Sequence, residues 1–179
     1  MIYYKGSIFA TILLSVIFSA INHLNELGDV SISDNQNYHI EVLELPTDIN
    51  YTSDGYDRRF KFGHKFDVDY DMNTSGTWET METGKIIWRL GILSSGAYSL
   101  QVQLNELYLP EGSELIIYNG SEDMVYGPYV HEDIKYETLS SPLIKGDLLI
   151  LEYHQFSNIK DEPRLIVSSV IHDYTDIFD

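Results

Sequence analysis

The sequence predicts an all-β protein: a two-sheet antiparallel β-sandwich of jelly-roll or CUB-like type. Three observations predict it. Apolar runs between residues 85 and 129 are cut at short intervals by Ser-Ser-Gly, Pro-Glu-Gly and Asn-Gly-Ser, the punctuation of consecutive short strands. Within the runs the apolar residues recur at every second position. No amphipathic helical pattern occurs beyond residue 20.

The elements follow in order. Residues 1–20, MIYYKGSIFATILLSVIFSA, place Lys5 ahead of an apolar run that ends in Ser19-Ala20. That is the layout of a secretory signal peptide, and the run is well short of the roughly 20 residues a membrane-spanning helix needs. Residues 21–59 form a polar segment with one predicted strand at 39–45, stopped by Pro46, and a turn-rich loop at 47–59. The sandwich is expected over residues 60–174, and residues 175–179 form an acidic tail.

Within the sandwich, Phe66, Val68, Tyr70 and Met72 alternate with Asp67, Asp69 and Asp71, so this strand is apolar inward and acidic outward. Turns at 73–77 and 82–84 flank a short strand at 78–81. Trp88, Leu90 and Ile92 then alternate with Arg89 and Gly91, which should face water, and Leu100, Val102 and Leu104 alternate with Gln101 and Gln103. The phase slips around Asn105-Glu106, which predicts a β-bulge. Leu115 to Tyr118 do not alternate, as expected of a strand covered on both faces, and Leu148 to Tyr153 read the same way. Residues 131–138 read as a connecting loop and residues 164–171 as the last strand.

Composition narrows the function classes. The chain has no cysteine, so neither a disulfide framework nor a thiolate zinc site is available. Against 11 Lys and Arg stand 28 Asp and Glu, a formal net charge of −17. Such a surface repels nucleic acid and anionic lipid, and the expected location is secreted, extracellular or periplasmic, off the membrane once the leader is cleaved.

Residues that could carry chemistry are few. Asp67, Asp69 and Asp71 match the first ligand positions of a calcium loop, which makes them the metal candidates. Met72 stands where the loop needs Gly, and Trp78 where it needs a bidentate Glu; on a strand the three carboxylates stand about 6–7 Å apart, too splayed for one cage. Glu122 and Asp123 are the alternative loop carboxylates. The histidines at 23, 39, 64, 131, 154 and 172 lie near no Gly-x-Ser-x-Gly elbow or similar nucleophile motif. Tyr126, Tyr129 and Tyr136 lie in or beside loops and could stack on sugars, although packing is the commoner fate of such rings. Asn50, Asn73 and Asn119 begin glycosylation-type triplets that read better as coincidental turn sequences. No cofactor is expected.

One ordered set of marks goes further: Gly76-Thr77-Trp78, Gly84, Ile87-Trp88-Arg89-Leu90, Gly96-Ala97, Leu109-Pro110-Glu111-Gly112, Gly127-Pro128-Tyr129, Ser141-Pro142-Leu143, Gly146-Asp147 and Leu165-Ile166-Val167 with His172 and Tyr174. It resembles the N-terminal, non-catalytic region of secreted bacterial trypsin-like serine peptidases of the lysyl-endopeptidase type, over residues 62–174. The order from Leu109 to Gly120 has a more distant, CUB-like similarity. The resemblance implies a folding, inhibitory or docking module whose partner is a peptidase domain, in cis or in trans. No Gly-Asp-Ser-Gly nucleophile segment occurs in the chain, so the family's activity does not transfer. The alternative is a free-standing secreted domain that binds a polysaccharide or a protein.

Overall fold

The structure, a computed structural model, describes residues 40–46, 62–121, 123–176 and 178. The predicted leader, the polar segment before residue 40 and the loop at 47–59 lie outside these residues. The strands are β1 (Glu41–Glu44), β2 (Gly63–Asp71), β3 (Thr77–Thr80), β4 (Lys85–Leu93), β5 (Ser99–Tyr108), β6 (Glu114–Asn119), β7 (Val125–Tyr129), β8 (Leu139–Ser140), β9 (Ile144–Lys145), β10 (Leu148–Phe156) and β11 (Arg164–Asp173). The first sheet has the order β1-β4-β10-β6-β7, with β3 also on β4; the second has the order β2-β11-β5-β8, with β9 also on β5. The protein is therefore the predicted all-β, two-sheet sandwich. In sequence order the chain passes between the sheets at β1–β2, β2–β3, β4–β5, β5–β6, β7–β8, β9–β10 and β10–β11. No helix among the described residues is long and apolar enough to cross a membrane.

Period-2 patterning fills the interior. Trp88, Leu90 and Ile92 of β4, Leu115 and Ile117 of β6, and Leu149, Leu151 and Tyr153 of β10 form one buried cluster with Leu100, Val102 and Leu104 of β5 and Val167 and Val170 of β11. Burying each such side chain contributes about 1.5–3 kcal/mol. On β2 the alternation behaves as read, with Phe66, Val68 and Tyr70 half-buried against the core and Asp67 and Asp69 exposed.

Three expectations need correction. Arg89 does not face water: it is buried, together with Ile87, Ile150, Glu152, His154, Ile116 and Tyr118 on the outward face of the first sheet. Its charge is tolerated there because acidic partners on neighbouring strands neutralise it. One strand pair is parallel: β1 runs along Leu90–Leu93 of β4 while β3 runs antiparallel along Ile86–Arg89, so two short strands share one edge of β4. No hairpin forces the direction of β1, because a long stretch of chain separates Glu44 from Lys85. Finally, β11 continues through His172 and Asp173, which are laddered to both β2 and β5.

Several details fall where the residues placed them. Ile166 faces Asn105 while Arg164 faces Tyr108, so three residues of β5 span two of β11: the bulge at Asn105-Glu106, where Glu106 takes φ 47°. The run 139–144 splits into β8 and β9 at Ser141-Pro142, because proline brings no donor to a ladder. Ser141 closes the gap: its N–H donates to the Val102 carbonyl (2.9 Å), and its hydroxyl oxygen accepts from the Val102 N–H (3.0 Å). Residues 131–138 contain a short 3-10 turn, His131–Asp133, and an isolated bridge between Lys135 and Thr138.

Candidate functional site

The carboxylates singled out on β2 do not converge. Asp67 pairs with Lys65 at 2.6 Å, and Asp69 is exposed. Asp71 is a turn former: its Oδ1 accepts from the backbone N–H and the side-chain amide of Asn73 (2.8 and 2.9 Å), and its carbonyl accepts from the N–H groups of Thr74 and Ser75. Among the described residues no group of three or more His, Asp or Glu is placed to hold a metal ion. Asp123 is likewise spent in a turn, accepting from the Asn119 amide (2.6 Å) and the Ser121 hydroxyl (2.7 Å), and these bonds hold its carboxyl below the usual range. Asn119 also donates to the Lys145 carbonyl of β9 and accepts from the Met124 N–H, so its amide is spent on the β6–β7 turn and its junction with β9.

The tyrosines separate. Tyr126 and Tyr129 pack against the core, whereas Tyr136 is 94% exposed at the tip of a turn where it and Glu137 take φ 59° and 54°. Of the histidines, His64 lies edge-on to Phe66 and His131 edge-on to Tyr108. His154 and His172 are buried, and each belongs to a polar cluster that the sequence did not announce.

The first cluster lies on the outward face of the first sheet. Strand register sets Glu152 opposite Arg89 and His154 opposite Glu114, while Glu152 and His154 share a face two residues apart. Arg89 Nε donates to Glu152 Oε2 (2.7 Å) and its Nη1 to Glu79 (3.2 Å). Tyr118 donates to the same Glu152 oxygen (2.9 Å). His154 spans both acids, with Nε2 2.5 Å from Glu152 and Nδ1 2.9 Å from Glu114, and Lys85 stands 3.9 Å from Glu114. Burial alone would raise the Glu152 carboxyl, but His154 and Arg89 outweigh it and hold it at about 2. Burial alone would lower His154, but the two carboxylates reverse the direction and raise it. With His154 protonated, three cations face three carboxylates among the described residues.

The second cluster ties the end of β11 to the β4–β5 connection. His172 Nδ1 and Ser94 Oγ share a hydrogen bond of 2.7 Å, and Ser99 donates to Asp173 at 2.8 Å. A serine hydroxyl on a histidine nitrogen is the elementary unit of nucleophilic catalysis. Here Ser94 is 2% exposed and its backbone is held by Asp147 and Ala97, so no carbonyl carbon has a path to its oxygen. Burial and the facing His64 push His172 down. The pair fastens the two sheets at one end. Both clusters join residues more than sixty positions apart, which is why no local pattern marks them.

No family model, curated protein or solved structure matches the chain.

Proposed function

We propose that the chain is the non-catalytic β-sandwich module that stands ahead of the peptidase domain in a secreted bacterial serine endopeptidase of the trypsin-like, lysyl-endopeptidase type. One observation supports this reading: the residues that carry the resemblance are those that build the sandwich and its turns. Trp88 is fully buried and donates through its indole N–H to the Ser75 carbonyl, across the turn that Gly76 makes at φ 85°. Pro110 and Ser113 close the β5–β6 turn through two bonds to the Pro110 carbonyl. Gly127-Pro128 is a cis peptide in β7, and Gly146 turns between β9 and β10 at φ 102°. Such residues specify a shape that another domain can fold against, and they supply no reactive group. The second reading, a free-standing secreted domain for polysaccharide or protein, is favoured by a groove on the second sheet lined mainly by amides and hydroxyls.

The coding DNA beyond Asp179 tests the first reading. A frame that runs on, directly or after one frameshift, into a trypsin-like domain with Gly-Asp-Ser-Gly supports it; a locus without any peptidase remnant contradicts it. The purified chain should release nothing from casein or lysyl chromogenic peptides. Turnover that disappears in Ser94→Ala would overturn its non-catalytic character.

A further inference from the structure

We propose that the outward face of the second sheet is a binding groove for an uncharged, hydroxyl-rich chain, a neutral oligosaccharide. The inference does not depend on a peptidase neighbour. The groove, of about 360 Å³, lies over β11 and is lined by Lys65 of β2, Gln101, Gln103 and Asn105 of β5, Ser140 of β8 and Ser168 of β11. A volume of this size falls within the range of small-ligand sites.

Register explains its shape. Ile171 sits between Lys65 and Gln101, and the next row runs Asp67, Ser169, Gln103, Ser140 across four strands. Past Ile171 the middle strand carries the short Ser169, with Asp67 and Gln103 beside it, so the floor there is lower than its immediate flanks. The ladder shift between Val167 and Ser169 adds a further serine, Ser168, to the groove.

Its lining carries no carboxylate. In a chain of net charge −17, the β5 wall presents only amides, at i, i+2 and i+4. The one charged lining group, Lys65, is neutralised by Asp67 at 2.6 Å. An amide both donates and accepts, as a sugar hydroxyl does, so each can engage a vicinal diol without desolvating an ion. The amides are also held in place. Gln101 donates to the Ser141 carbonyl (2.7 Å), Gln103 donates to the Leu104 carbonyl (3.3 Å), and the Ser140 hydroxyl donates to Gln103 Oε1. Each keeps hydrogen-bonding capacity for a ligand, and Asn105 makes no side-chain hydrogen bond to any described residue. Phosphate- or uronate-bearing chains are disfavoured by the net negative field.

The test is an NMR titration of the full ¹⁵N-labelled chain with cello-, laminari-, xylo- and manno-oligosaccharides and with oligogalacturonate as the anionic counterpart. At least one neutral oligomer should move the amide signals of residues 101–105 and 168–171, and oligogalacturonate should not. Gln103→Ala should weaken that binding about tenfold, with the second variant Asn105→Ala following, while neither alters the melting temperature appreciably. The proposal is overturned by silence from every neutral oligomer at about 10 mM. It is equally overturned by shifts confined to residues 131–138, by equal binding of oligogalacturonate, by an unchanged affinity in both variants, or by extended peptides moving these amides when sugars do not.

Discussion

Glu152 carries the heaviest duty of any single residue. It is 4% exposed and accepts from Arg89, Tyr118 and His154, so removing its charge leaves two buried cations without their shared counter-ion. Glu152→Gln should cost about 3–5 kcal/mol in chemical denaturation, whereas replacing Arg89, Glu152 and His154 together by apolar residues of similar volume should cost much less. The same cluster sets a pH profile. The Glu152 carboxyl is depressed from 4.5 to about 2, so its contribution is present above 4.5 and fades as pH falls toward 2. The imidazole of His154 is raised above 6.5, so its contribution is full below 6.5 and is lost as pH climbs through the elevated value. The network is therefore at full strength between 4.5 and 6.5. Melting temperatures across pH should decline on the alkaline side of that window, and His154→Gln should flatten that decline.

Among the elements, the β2–β3 turn shows how one turn fixes a neighbouring strand. A Cβ built on Gly76 would lie 2.4 Å from the Trp88 indole nitrogen and 2.7 Å from the Arg89 carbonyl, at a φ that side chains rarely adopt. Gly76→Ala should destabilise the protein by more than about 2 kcal/mol, read as a lowered denaturation midpoint with unchanged slope. Turns of this kind were readable from the chain, as were the acidic-outward β2 and the slip at Asn105-Glu106, because each is written in adjacent residues. The outward face of β4 was not readable. Arg89 looked like a solvent residue because its partner lies 63 positions away, and only the β4–β10 register brings them together. His172 fell just past the predicted last strand for the same reason: its partner Ser94 is 78 positions away. Local pattern shows which residues can face a core. It does not show which outward polar residues will be paired and buried.

For the whole molecule, the polar side chains most suggestive of chemistry among the described residues are turned to structural use. The role proposed for the chain is one of binding or chaperoning. A peptidase domain of the lysyl-endopeptidase type, produced without its own N-terminal region and refolded with this chain, tests the role directly. Gel filtration and an activity assay on the mixture are the readout. Co-elution of the two, with a changed yield of active peptidase relative to refolding alone, is the predicted result. Separate elution with an unchanged yield and unchanged activity would contradict it.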